Sequence, residues 1–268
     1  MRMARAIAER FQQLKAQGRK AFIPFITAGD PDLETTIRLV PVLERSGSDI
    51  IELGIPFSDP LADGPTIQRA SERALTHGYR LPDYLEAVKI IRRESTVPIV
   101  LFSYFNPLMQ YGMDNLARDS SSAGVDGLLV TDLTPEESDE YRVCLDKYEL
   151  DTVFLAAPTS SPERVEMISR CSSGFVYVVS RTGVTGVQEK LSASILPTIS
   201  RVRRYTGLPV AVGFGISRPE HVRAVWEIAD GAVVGSAIVA QIENAAHCVE
   251  LPQRVGEFCR WLTEAGNV

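Results

Sequence analysis

Histidine is scarce in this chain: three residues in 268, at positions 77, 221 and 247, scattered and without partner residues around them. Cysteine is hardly commoner. Cys144, Cys171, Cys248 and Cys259 form no CxxC pair and share no ligand spacing with the histidines, so zinc binding and dithiol redox chemistry have no framework here. Each thiol reads as a buried free cysteine in a reducing, cytoplasmic setting. Long apolar runs are missing too. None reaches the ~18 residues of a membrane span, and Arg2, Arg5, Glu9 and Arg10 break up the stretch where a signal segment would lie. Basic charge is not in excess: 28 Lys and Arg stand against 34 Asp and Glu, a net charge of −6. That balance argues against a nucleic-acid surface. It leaves phosphate ligands open, because helix N-termini hold anions without many cations. With no linker or low-complexity segment, residues 1–268 are expected to form a single domain.

What the chain does contain is a steady alternation of short apolar runs and longer amphipathic stretches. Strands are predicted at Ala21–Thr27, Asp49–Leu53, Val97–Phe102, Gly127–Thr131, Thr152–Ala156, Phe175–Val179, Pro209–Val212 and Gly231–Val234. Most are apolar on both faces, the pattern of parallel strands covered on both sides. Helices are predicted between them at Asp32–Ser46, Leu81–Arg93, Asn115–Ala123, Pro135–Tyr148, Pro162–Cys171, Ala193–Tyr205 and Pro219–Glu227. Asp30-Pro31, Thr134-Pro135 and Ser161-Pro162 read as capping residues ahead of a first-turn proline. Eight such units in about 250 residues predict an α/β fold of the (β/α)8 TIM-barrel type. Extra helices are expected before the first strand (Ala4–Gln17) and after the second (Thr66–Leu75). An open doubly wound sheet is the alternative on these features alone. The connection from Ser180 to Ser192, rich in Gly, Thr and Ser, is long enough to act as a lid over the barrel mouth.

Two kinds of residue carry candidate chemistry. Val212-Gly213-Phe214-Gly215-Ile216-Ser217 and Val234-Gly235-Ser236-Ala237 follow the seventh and eighth strands, where barrels often hold a phosphate. Glycine lets backbone N–H groups approach the anion, and the helix dipole favours it. The alternative is that these glycines only relieve crowding in tight turns. Gly183 and Gly186 stand where they can close over the same anion. The second kind is acidic. Glu52 alternates with Ile51 and Leu53 near the end of a strand, so its carboxyl can face the barrel interior, shielded and raised in pKa. Asp63 follows eleven residues later in the ensuing loop. Glu52 is otherwise a structural acid bonded to backbone, and Asp59 and Asp63 are otherwise turn-stabilising residues. Tyr177, Phe22, Phe102 and Leu129 either wall a pocket or fill barrel layers.

The chain strongly resembles the tryptophan synthase α subunit family. The resemblance rests on Phe22–Pro31, on the run from Glu52 to Gln68, on Ser180–Gly186, on Gly213–Ser217 and on Gly235–Val239, in family order and over essentially the whole length. It implies retro-aldol cleavage of indole-3-glycerol phosphate to indole and glyceraldehyde 3-phosphate, in L-tryptophan biosynthesis. Glu52 matches the family's acid/base glutamate, and Asp63 the aspartate that bonds the indole N–H. Phe22, Phe102, Leu129, Tyr177 and Thr185 match substrate-binding positions; Gly186, Gly215, Gly235 and Ser236 match the phosphate site. Pro56, Asp59, Pro60, Asn106 and Pro107 match the face that docks a β subunit, implying an α2β2 complex. No cofactor is implied in this chain; pyridoxal phosphate is expected only in the β partner. Thr131–Thr134 and the Val187–Leu191 half of the expected lid depart from the family pattern. A self-sufficient indole-releasing lyase and a non-catalytic activator of β are the other readings of the same residues.

Overall fold

A computed structural model describes residues 5–179, 187–213 and 215–264, with the backbone alone described over 187–194. Eight parallel strands close into a barrel in sequence order: β1 (Ala21–Thr27), β2 (Ile51–Gly54), β3 (Ile99–Ser103), β4 (Gly127–Val130), β5 (Asp151–Ala156), β6 (Val176–Val179), β7 (Val210–Gly213) and β8 (Gly231–Val234). Closure comes from β1 pairing with both β2, where Phe25 lies opposite Glu52, and β8, where Ala21 lies opposite Gly231.

Around the barrel run α1 (Ala6–Ala16), α2 (Leu33–Arg45), α3 (Pro65–Leu75), α4 (Leu81–Ile91), α5 (Phe105–Tyr111) and α6 (Met113–Ala123). The second half contributes α7 (Asp139–Lys147), α8 (Pro162–Cys171), α9 (Val187–Tyr205), α10 (Pro219–Ile228), α11 (Ser236–Ala245) and α12 (Leu251–Glu264). Among the described residues no helix is long and apolar enough to cross a membrane.

Strand alternation splits the core in two. Ile23, Val100, Leu129, Val153, Phe175, Tyr177, Ala211 and Val233 fill the barrel, and Ile7, Phe11 and Leu14 of α1 plug its N-terminal end. Residues of opposite parity, such as Ile26, Ile51, Leu53 and Val212, face the helices and build the larger outer layer.

The N-terminal end is held by a repeated device. Ahead of each even-numbered strand, a polar side chain accepts the backbone N–H of a residue at or beside the start of the preceding odd strand. Asp49 takes Phe22 N–H at 2.8 Å, Asp126 takes Ile99 N–H at 2.8 Å, the Ser173 hydroxyl takes Thr152 N–H at 2.9 Å and Asp230 takes Val210 N–H at 3.0 Å. Four βαβ units are thereby pinned in register at the end away from the loops that follow the strands.

The structure corrects several sequence expectations. α2 starts at Leu33, capped by Asp32, whose carboxylate accepts Thr35 N–H at 2.6 Å; Asp30 is instead gripped by Arg73, with both contacts at 2.8 Å. The helix predicted from Pro135 is a 3-10 turn, Pro135–Glu137, followed by α7, and Thr134 gives it no side-chain cap. Ser161 caps α8 as expected, accepting Arg164 N–H at 3.3 Å. The connection expected to remain loop from 180 to 192 is already helical at Val187, and its remaining part, 180–186, lies outside the described residues.

Candidate active site

Glu52 occupies the middle of β2, where Ile51 and Leu53 belong to the outer layer and Glu52 must therefore point inward. Its neighbours across the ladders are Phe25 and Val100. The residue is 1% exposed, and its Oε1 has no hydrogen-bond partner. Burial without a compensating cation pushes the carboxyl up to about 8. A protonated carboxylic acid at neutral pH is thus available inside the barrel. Tyr177 projects into the same interior from β6, and a Cβ at Gly213 would overlap its hydroxyl. Burial, and after it the charge of Glu52, hold the Tyr177 hydroxyl in its neutral form.

Asp63 sits on the loop between β2 and α3, half-buried, and burial lifts its carboxyl to about 6 against the opposing hydrogen bond from Tyr104. The same tyrosine hydroxyl accepts the Ala62 N–H at 2.9 Å, while Gln68 on α3 donates to the Asp63 carbonyl at 2.9 Å. These contacts fold the loop back over the mouth. Tyr104 was not among the sequence candidates. Its signal was its place immediately after β3, where barrel site residues come from. Asp59 is exposed, and its carboxylate accepts the neighbouring Ser58 hydroxyl at 2.6 Å.

Phe22 does not line this pocket. It is buried in the outer layer with Leu39 and Val40, because it alternates with the inward-facing Ala21 and Ile23. The aromatic that β1 contributes is Phe25, opposite Glu52 and edge-on to Phe102 at 5.1 Å between ring centroids. Such a pair adds roughly 0.5–1.5 kcal/mol beyond its area. Phe102 touches both the barrel-filling cluster and the Phe25 cluster, which places it at the mouth; Leu129 lies fully buried within the barrel.

Gly215 lies in a bend with φ +45°, after β7, and is exposed. Gly235 is the N-cap of α11, with no side-chain cap, and Ser236 opens that helix, exposed to solvent. Since β7 and β8 are paired neighbours, the two glycine turns lie side by side on the end of the barrel that carries Asp63. The uncapped start of α11 offers N–H groups and a positive dipole end to an anion. The Ser217 N–H is already occupied by His221 Nδ1 at 3.3 Å. Thr185 and Gly186 lie outside the described residues.

Asp59 is exposed on the loop after β2 and Asn106 on α5, Pro60 and Pro107 are half-buried, and Leu61 is 93% exposed with Met109 also largely uncovered. Pro56 is buried, so it supports this face from beneath and offers no surface of its own.

A closed parallel barrel with a buried acid inside its C-terminal mouth and glycine turns beside it has the layout of the α/β-barrel enzymes, whose active sites lie at that end. A family model described as tryptophan synthase alpha chain matches residues 11–265, and the chain belongs to that family. It is 52% identical to the tryptophan synthase alpha chain of Solibacter usitatus over 256 residues, covering 96% of each. Identity to that of Geobacter sulfurreducens is 50% over 262 residues, 97% of this chain and 99% of the relative. Among solved structures, tryptophan synthase subunit alpha from Legionella pneumophila superposes with a TM-score of 0.90 at 37% identity, covering 98% of this chain and 99% of that one.

Proposed function

We propose that Glu52 and Asp63 are the proton-handling pair with which this chain works as the α component of tryptophan synthase. The reaction is the lyase step of L-tryptophan biosynthesis: indole-3-glycerol phosphate gives indole and glyceraldehyde 3-phosphate. The observation that carries the assignment is the inward, unpartnered carboxyl of Glu52, which burial keeps protonated.

The chemistry follows from that protonation state. Glu52 gives its proton to indole C3, which leaves positive charge spread toward the ring nitrogen. Asp63, ionised above about 6, accepts the indole N–H and stabilises that charge. The Glu52 carboxylate then removes the proton of the hydroxyl on the adjoining side-chain carbon. The C3–C bond breaks, its electrons return to the ring, and an aldehyde leaves with the phosphate. Glu52 ends the cycle protonated, as it began. Phe25, Phe102 and Leu129 wall the indole, Tyr177 packs beside Glu52, and Gly215, Gly235 and Ser236 hold the phosphate. Thr185 and Gly186 are assigned to the substrate and its phosphate on sequence alone.

We assign the face carrying Asp59, Pro60, Leu61, Asn106 and Pro107 to a β subunit, in an α2β2 assembly whose pyridoxal phosphate belongs to the partner. Among the described residues the mouth offers no feature that favours a self-sufficient lyase; full indole release without β would establish one.

The test is Glu52→Gln, assayed for indole release with and without β subunit and, in parallel, for substrate binding by calorimetry. Turnover is expected to fall by about 10²–10⁴-fold with binding retained. Ordinary turnover by this variant would falsify the assignment.

A further inference from the structure

The end of the barrel opposite Glu52 has a concavity of its own. A cavity of about 800 Å³ opens between α1, the turn leading into β1 and the loop leading into β7. Phe11, Leu14 and Leu208 give it apolar walls, the first two being part of the barrel plug. Its rim is cationic: Lys15, Arg19, Lys20 and Arg203 line it against a single acid, Asp230.

Local ion pairing does not account for this rim. Lys20 and Arg203 both approach Asp230, at 3.2 and 3.4 Å, and that carboxylate already accepts the Val210 N–H. Arg19 reaches Asp49 only at 3.8 Å, and Asp49 has a closer partner in Arg10 at 2.5 Å. Lys15 is exposed and makes no ion pair among the described residues. In a chain of net charge −6, positive charge is thus gathered around one concavity and left mostly uncompensated. The volume is that of small-molecule sites, which span about 300–1,000 Å³ and combine apolar walls with a few placed polar groups. Several Arg and Lys side chains on one rim suit phosphate oxygens, which accept charge-assisted hydrogen bonds from more than one of them.

We propose that this cavity binds a phosphorylated metabolite with a flat apolar body, of the size and charge of a nucleoside diphosphate. The phosphates sit on Lys15, Arg19, Lys20 and Arg203, and the ring lies on the wall of Phe11 and Leu208. The site is remote from Glu52 and Asp63, so its ligand is not the substrate of the lyase reaction.

Calorimetric titration of the full chain with ADP, inorganic pyrophosphate and adenosine separates the two halves of this ligand. ADP is expected to bind saturably, pyrophosphate more weakly and adenosine least. Lys15→Glu, on an exposed helix position, is expected to weaken ADP by about tenfold or more while indole release stays unchanged. Arg203→Ala is the second variant and is expected to weaken it in the same direction. Added salt is expected to weaken ADP further. Absence of saturable ADP binding up to about 5 mM, or an unchanged affinity in both variants, overturns the proposal. So does adenosine binding as tightly as ADP, or ADP binding no more tightly than pyrophosphate.

Discussion

At the N-terminal end of the barrel, Asp49, Asp126 and Asp230 each sit between a basic side chain and a backbone N–H. At the C-terminal end, Glu52 is as deeply buried as Asp49, and its Oε1 has no partner at all. Both ends take carboxyl groups out of water, which is costly unless the charge is paired. The N-terminal acids offset that cost with a basic partner and a backbone N–H and pin neighbouring strands, although burial still raises Asp49 and Asp126; Glu52, with no such partner, escapes the cost by holding a proton. The contrast is specific to Glu52 and not to its end of the barrel, because Asp30, beyond the C-terminal end of β1, is clasped by Arg73 at 2.8 Å through both oxygens. Among the described residues the other buried acids, Asp30, Asp49 and Asp151, each meet an arginine, so the unpaired Glu52 fits the proton-transfer role proposed for it.

Removing one acid from each end should break the comparison in opposite ways. Asp49→Ala leaves the Phe22 N–H without its acceptor and Arg10 without its acid. A loss of about 3 kcal/mol or more is expected in urea unfolding, with catalytic turnover per folded molecule unchanged. Asp49→Asn, which keeps an acceptor for Phe22, should recover part of it. A stability within experimental error of the parent chain would show that the N-terminal acids do not pin the strands.

Glu52 carries the opposite expectation, and its sign follows from linkage. The folded chain holds this carboxyl's proton up to about 8, whereas an unperturbed glutamate carboxyl titrates at 4.5. Between those two values the folded state binds more protons than the unfolded one, so stability falls as pH rises, and the favourable contribution is gone above the folded pKa. Glu52→Gln removes that dependence. The difference in unfolding free energy between Glu52→Gln and the parent should therefore shift in the variant's favour from pH 5 to pH 8.5, by on the order of a few kcal/mol. A difference that does not change with pH would mean that Glu52 is paired or solvated in the folded chain.

Much of this arrangement is legible in the residues, and the parts that are not share a cause. The strands at Ala21–Thr27 and Gly231–Val234 stand where their apolar runs place them. β2 ends one residue later than its run suggests, because Gly54 pairs with Thr27 and Phe102 through its backbone alone. Phe22 and Phe25 could not be told apart within Ala21–Thr27, a run that is apolar on both faces and buried throughout, so no polar alternate marks the inner side. Glu52 supplies that mark for β2, and the Phe25–Glu52 register then carries it to β1. α5 escaped notice because it is seven residues long with Leu108 as its one fully buried side chain, too little for a helical period to emerge. Tyr104 escaped because its place after β3 was its only signal, and its contact with Asp63 depends on a loop folding back from β2.

The two acids at the mouth also differ from each other, and the pH profile of catalysis should separate them. On the proposed mechanism, cleavage needs Glu52 protonated and Asp63 ionised. With burial lifting Asp63 to about 6 and Glu52 to about 8, kcat/KM for indole release should rise through the first value and fall through the second. A rate that keeps rising above pH 9 would mean that Glu52 begins the cycle as a base. A rate level down to pH 5 would remove the need for an ionised Asp63.

The smallest expected effect concerns the residue that holds Asp63 in place. Tyr104→Phe keeps the ring packed against Phe57 and removes only the hydroxyl, which accepts the Ala62 N–H and donates to Asp63. One charge-assisted hydrogen bond of this kind contributes about 1.5–3 kcal/mol at most, and the half-buried loop keeps access to water that can replace part of it. A fall in kcat/KM of about tenfold is therefore expected, well short of the loss from Glu52→Gln. The distinguishing readout is the acid limb of the pH profile. The tyrosine's hydrogen bond lowers the Asp63 pKa, so losing it should move that limb upward, toward the alkaline one, and narrow the active range. A uniform drop in rate with both limbs unmoved would assign Tyr104 to loop packing, with no part in setting the charge on Asp63.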